Sequence, residues 1–450
     1  MTTESVERFV ADFSRNAASL PGADVPWLAR LRRAALDRFV ARGLPGARDE
    51  DWKYTSVAAI AKRPFAVPVH SDSAAVDVDG FALAGMASHR LVFVDGRYAP
   101  SLSHIGRLPA GVTLESLAHT LQAAPDALEP LLGEDRYQTV FAALNAAFMA
   151  DGVYLHLPRG TAVAEPIHAL FVCTAPNAAI HPRNVVVAGE GTQATLIEHY
   201  AGLDGAAALT NAITQLFVGA DASIGHYKLQ QESARTLHIG GVHAAQSRSS
   251  RLESHSIALG AALARNDITT SFDAEGCEAE LNGLFLASGR QHVDHHTRID
   301  HAKPRGTSRE YYKGIVDGAA RGVFNGKVVV HPGAQKTNAQ LSSRNLLLSK
   351  SAEIDTKPEL SIDADDVKCT HGATVGQLDD NAMFYLRSRG VDEAMARALL
   401  TYAFAHDVIE RVRVAPLRSM LERVLVERLP HGGHIRELSA EESLGAARHV

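Results

Sequence analysis

Cysteine is scarce in this chain. Three residues in 450, Cys173, Cys277 and Cys369, are too few, too scattered and odd in number for the disulfide framework of a small secreted fold. A basic excess is missing as well. Lys and Arg number 45 against 51 Asp and Glu, a formal net charge of −6, so the electrostatic footprint of a nucleic-acid binder is not there. Long apolar runs are absent too: the stretch Ser256–Ala264 is too short to span a bilayer. The start carries Glu4 and Glu7 where a signal peptide needs a basic segment and an apolar run. These features predict a soluble, cytoplasmic protein with no membrane and no nucleic-acid partner. The chain also lacks a phosphate loop of the form G-x-x-x-x-G-K-[ST], a strand-bounded G-x-G-x-x-G, a G-x-S-x-G elbow and an H-E-x-x-H helix. Nucleotide hydrolysis has no motif here.

What is present is an ordinary globular composition, 46% hydrophobic and 21% charged, with an unusual 22 histidines. At about 150 residues per domain the length suggests about three parts. Residues 1–150 read as mainly helical with a short hairpin. Phe9 and Phe13, then Leu28, Leu31, Ala35 and Phe39, recur at helical spacing, with breaks at Pro21-Gly22 and Gly43–Gly46. Asp95-Gly96 between apolar runs marks the hairpin turn. Residues 114–149 return to a helical pattern.

From 151 to 376 the texture is short strand-like runs, such as His168–Val172, Ala194–Tyr200 and Ile224–Leu229, separated by small or polar breakers. So long a stretch without crossover helices excludes a doubly wound sheet. No fixed repeat length can be written down, and a β-helix with coils of varying length fits better than a sandwich. Residues 377–450 are helical again, with one stripe of Met395, Ala398, Leu399, Tyr402 and Ala403 and another of Leu417, Met420, Leu421, Val424 and Leu425. From Pro430 onward a polar, frayed terminus is expected.

Two constellations carry chemistry. On the run Gln291–His301, His292, Asp294 and His296 share one face of a strand and His295 takes the other. Nitrogen and oxygen ligands at that spacing suit zinc or non-haem iron, and a metal-dependent β-fold enzyme is the alternative this raises. The competing reading is a polar ladder on a solvated sheet face, and it is favoured because no second motif completes the site. The other constellation is Lys357–Gly376, where Cys369 and His371 stand two apart on one face, followed by Gly372. Thiolate with imidazole suits iron–sulfur species or zinc.

Several stretches are similar to the SufB/SufD family of the SUF iron–sulfur cluster assembly system: Asp49–Thr55, Val94–Gly96, Gln291–His301 running on to Thr307–Arg309, Asn345–Ser349, Thr356–Leu360, Ala364–Gly376 and Phe384–Val391. They span nearly the whole chain in order. The SufD branch is the nearer one. No cysteine stands in Ser349–Ala352, where the SufB sibling carries its assembly cysteine, and His371-Gly-Ala-Thr replaces the sibling's H-E-A-T. The resemblance implies a central right-handed parallel β-helix flanked by helical regions, acting as a non-catalytic scaffold. It further implies pairing with a SufB-like subunit through the β-helix ends, and binding of a SufC-like ATPase by the C-terminal helices. A homodimer would form when the partner is absent. His371, with Cys369 beside it, would stand at that interface, holding a nascent, transient cluster only in the complex, while the isolated chain would hold no cofactor. The missing phosphate loop then belongs to the partner. A carbohydrate-acting β-helix is disfavoured by an aromatic content of 6%.

Overall fold

The computed structural model describes residues 3–68, 76–81, 83, 85–132, 139–203 and 205–429, so the expected polar terminus lies outside the described residues. The chain opens with helices Thr3–Asn16 and Pro26–Arg42, which bury Phe9, Phe13, Leu28, Ala35, Leu36 and Phe39. Pro26 sits in the first turn, where its missing N–H costs nothing, and Gly43 at φ 65° ends the helix with its N–H on the Phe39 carbonyl. Asp95 and Gly96, both at positive φ, fold the strand His89–Val94 back onto Arg97–Tyr98. Helix Val140–Phe148, capped by Thr139, is buried throughout. Within it the Asn145 amide donates to the carbonyls of Pro182 and Asn211 at 2.9 and 2.7 Å, tying the helical region to the strands beyond.

Those strands form a parallel solenoid of about eight turns, with helices at both ends of the chain. Successive strands alternate between two facing sheets. In one, Gln193–Gly202, Ser223–Gln231, Arg251–Ala258, Glu278–Ala287, Thr307–Val316, Asn338–Leu347 and Lys368–Gly376 stack in chain order. The other ends in Leu263–Phe272, His292–His301, Arg321–Val330 and Glu353–Ile362. The step between paired residues varies, from 26 (Leu237 to Leu263) to 32 (Arg321 to Glu353), so the coils have no fixed length. In-register stacking brings like side chains to the strand spacing of about 4.8 Å. Phe93, Phe171 and Tyr200 stack in this way, with ring centroids 4.7 and 4.8 Å apart.

The solvated-ladder reading of the histidines is corrected by the fold. His226, His238, His255, His295 and His301 are all fully buried, and Asp294 with them. The interior positions are filled by the facing sheets, and the outward Asp294 is covered as well, so on His292–His301 the wet face shrinks to positions such as Arg298. A buried imidazole needs a hydrogen-bond partner for its N–H. His226 meets Glu198 at 2.9 Å, His238 meets Glu232 at 2.8 Å, and His255 meets Glu253 at 2.9 Å.

The C-terminal helices Glu393–Ile409 and Ala415–Arg428 lie on the outside of the first sheet. Leu417, Met420, Leu421 and Leu425 are buried as their spacing predicts. On the longer helix the buried face is Ala398, Thr401, Ala405 and Val408, and the expected Ala403 is exposed. Small residues on this face bring the helix close enough for Lys313 Nζ to reach Asp407 at 2.6 Å and the Phe404 carbonyl at 2.8 Å.

The interior tolerates little extra volume. A Cβ on Gly283 would come within 2.0 Å of the Tyr312 ring, which is fully buried and has no room to move. Gly283→Ala is expected to destabilise the chain by about 1–3 kcal/mol, read as a fall in the urea midpoint.

Candidate functional site

The two sequence constellations have opposite fates. On His292–His301, Asp294 faces outward from the solenoid but is sealed beneath the N-terminal region. Its Oδ2 accepts from the Thr55 hydroxyl at 2.5 Å and from the Arg265 guanidinium at 3.0 Å, and Oδ1 lies 3.1 Å from His296 Nε2. Thr55 also contacts His292 Nε2 at 2.9 Å, and Trp52 covers Arg265, the guanidinium carbon 3.9 Å from the ring centroid. A cation, Arg265, therefore stands where a metal would have to sit. Among the described residues no group of three or more His, Cys, Asp or Glu side chains is arranged to hold a metal ion. The metal-enzyme reading has no site, and the cluster instead clasps Asp51–Thr55 to the sheet. Sequence spacing brought His292, Asp294 and His296 together but gave no hint of Thr55 and Arg265, which come from segments far away in the chain.

The second constellation lies at the uncapped end. Lys368–Gly376 is the last strand of one sheet and Glu353–Ile362 the last of the other. Cys369 is in register with buried Ala339, and His371 with buried Leu341, so both side chains point along the interior side of the final coil. Among the described residues no further coil covers them. Cys369 is half-buried against the core, and this burial raises its thiol pKa above the usual value, while His371 is exposed. Ile362 and Val375, at 41% and 45% exposure, are core-type residues left open at the same rim. Gly372 has no atom within 4 Å of a notional Cβ, so its face is clear for an approaching group.

Among the described residues the outer backbone edge at this end has no pairing strand either. Lys368 N–H bonds back to the Thr337 carbonyl, so by strand alternation the N–H and C=O of Cys369, His371 and Ala373 point to the free edge. On Glu353–Ile362, Glu353 and Asp363 bond back to Ala320 and Val330. The even-numbered residues there face outward, and one of them is Pro358, a residue found at sheet edges because it donates nothing. The site is thus a strand edge with a thiol and an imidazole on its inward face, side-chain types able to ligate metals, about 7 Å apart along the strand. It offers too few ligands to hold a cluster alone.

Two outcomes test the contrast. Burial would raise the Asp294 carboxyl, but His296, Arg265 and the Thr55 hydroxyl together hold it well below the ordinary aspartate value. A depressed folded pKa contributes stability above the unfolded value and loses it as pH falls. Asp294→Asn is expected to cost about 3 kcal/mol at pH 7 and to flatten the acid limb of the stability curve, measured by urea unfolding from pH 3 to 7. Dialysis against a chelator should leave the wild-type unfolding midpoint where it was. A rise on adding back zinc or ferrous iron would restore the metal reading of His292, Asp294 and His296.

Comparison with known proteins identifies the family of the chain. Residues 171–404 match the model of the SUF system FeS cluster assembly SufBD core domain, and residues 3–169 that of the SufBD protein N-terminal region. The chain is 34% identical over 422 residues to an iron–sulfur cluster assembly SufBD family protein of Synechocystis, covering 91% of this chain and 93% of that one. It is 34% identical over 402 residues to the iron–sulfur cluster assembly protein SufD of Escherichia coli, covering 88% and 92%. A chloroplastic protein of Arabidopsis, ABCI7, is 27% identical over 401 residues, covering 87% and 84%. Among the described residues no helix is long and apolar enough to cross a membrane. Two family models that together take in nearly the whole solenoid and the region before it leave one conclusion: this chain belongs to the SufBD family of iron–sulfur cluster assembly proteins.

Proposed function

We propose that this chain is a SufD-type scaffold subunit, without catalysis of its own, on which iron–sulfur clusters are assembled in the cytoplasm. The observation that carries the reading is the uncapped final coil. It combines an unpaired strand edge, a rim of exposed core residues, and Cys369 and His371 turned toward the opening. A second solenoid of the SufB type, docking edge to edge, would satisfy the free backbone groups and cover Ile362 and Val375. It would also supply the ligands that this chain lacks, so the cluster, as cargo, is held only in the complex. His371 is the ligand we assign to this chain, with Cys369 beside it. In the absence of the partner, the same edge pairs two copies of the chain.

The segment 377–450 is the proposed seat of a SufC-type ATPase. Helix Asp380–Ser388 supports this, because it buries none of its residues and leaves Phe384 74% and Tyr385 57% exposed. Exposed aromatic residues of this kind are costly unless a partner covers them. The ATPase would transmit its movement through Lys313, Asp407 and Tyr311, which join the helices to the solenoid.

The test is co-expression with SufB-type and SufC-type subunits, followed by reconstitution of clusters on the purified complex. His371→Ala should leave the complex intact and lower the cluster yield about tenfold or more, as the loss of a metal-site group does. An undiminished yield would remove His371 from the site. Failure of the wild-type chain to co-purify with either partner would remove the scaffold reading itself.

A further inference from the structure

The interior of the last coils holds a carboxyl group that nothing above uses. Glu310 lies on Thr307–Val316 with its side chain between the two sheets, 3% exposed, and neither oxygen has a hydrogen-bond partner. Its surroundings are apolar or neutral on every side. Leu281 and Leu341 flank it in its own sheet. Along its own strand, Tyr312 faces the same interior, its hydroxyl also unpartnered, and Ser308 is engaged by His301 at 2.8 Å. From the opposite sheet come Thr297, close enough to temper the carboxyl but without a well-formed hydrogen bond, and His295, beside the Tyr312 ring at 5.6 Å. Phe324 packs on Tyr312 at 4.8 Å. His295 is kept neutral at neutral pH, its pKa lowered by burial to about 3. Among the described residues no lysine or arginine forms an ion pair with Glu310, and the interior Lys228 stands three strands earlier, on Asn266 at 2.6 Å.

Its position in the stack matters. Glu310 is in register with Leu341, and Leu341 with His371, so only one strand separates the carboxyl from the residue at the mouth. That is about 10 Å at the spacing of strands. Beyond Glu310 its sheet has two strands left, Asn338–Leu347 and Lys368–Gly376. In a solenoid each coil takes its backbone pairing from its neighbours, so a coil at the end, paired on one side, opens at lower cost than one in the middle.

We propose that Glu310 is a proton-operated switch for the open end of the solenoid: protonated, it lets the last coils close over a dry interior, and ionised, it draws in water and loosens the strands that carry Cys369 and His371. An unpaired carboxylate in this layer can be hydrated only by parting those coils. Burial raises the Glu310 pKa to about 7, so the switch works near neutrality. The sign follows. The folded carboxyl binds its proton more tightly than the unfolded one, so the closed state is favoured below the ordinary glutamate value and loses ground as pH rises through 7. The switch is a property of the chain itself and does not depend on the scaffold reading.

Hydrogen exchange on the full-length chain tests it, with Glu310→Gln as the permanently neutral reference at each pH. The ratio of wild-type to Glu310→Gln exchange in Asn338–Leu347 should rise about tenfold between pH 6 and pH 8. The same ratio in Gln193–Gly202, near the other end, should stay flat. Glu310→Leu should behave as Glu310→Gln does, which separates the charge from the amide. A ratio at the mouth that does not change with pH, or one that rises equally along the whole solenoid, would overturn the proposal. Both readouts are independent of cluster yield, so neither is confused with a failure of the assembly function.

Discussion

Every strand of this molecule leans on the one before it. In a parallel solenoid the backbone groups of a coil are satisfied by its neighbours, coil after coil, and the debt is passed along until the chain runs out of strands. At the first end it is settled locally. The hairpin of His89–Val94 and Arg97–Tyr98 turns antiparallel, and the strand Thr113–Ser116 does the same in the other sheet, each taking an edge out of the parallel stack. At the last end none of the described residues does so. The two edges at Glu353–Ile362 and Lys368–Gly376 follow from the architecture, and the side chains of Cys369 and His371 acquire their place from them.

The same stacking explains the chemistry of the interior. A side chain on an inward position meets its counterparts one strand spacing away on both sides, so polar residues there form columns and pairs rather than isolated groups. Glu198 illustrates this. It accepts from Thr214 at 2.5 Å, Tyr200 at 2.7 Å and His226 at 2.9 Å, and although burial would raise its carboxyl these partners lower it to about 2. Glu310 sits in an equivalent layer without such partners and moves the other way. Two buried carboxyls of one fold are thereby set on opposite sides of neutrality by neighbours alone.

Much of the architecture was legible in the residues. The breaks at Pro21-Gly22 and Gly43, the Asp95-Gly96 turn and the stripe around Leu417 and Leu421 depend on local rules, and local rules can be read from one sequence. So could the irregular coil length, because the strand runs recur without a common period. Burial could not. Alternation shows that Asp294 and His295 take opposite faces, but only the tertiary fold shows that both faces are covered. The pairing of Thr55 and Arg265 with Asp294 joins positions 239 and 29 residues apart, and no spacing rule reaches that far. The Cys369–His371 pair is legible because both residues share one strand, two positions apart. Its exposure at an edge depends on where the coils stop.

An open β-solenoid is a template for its own growth, since each uncapped edge invites another copy and then another. Pro358 interrupts that template. Its nitrogen lies among the outward-facing positions of Glu353–Ile362, between Thr356 and Leu360, and leaves a silent place in an otherwise regular row of donors. A strand laid along this edge must leave that place unanswered, whatever its register. Indefinite stacking into a fibre would meet the same gap at every joint, whereas a single shaped partner needs to accommodate it once. The proline thus breaks the row along which the stack of coils could otherwise be continued.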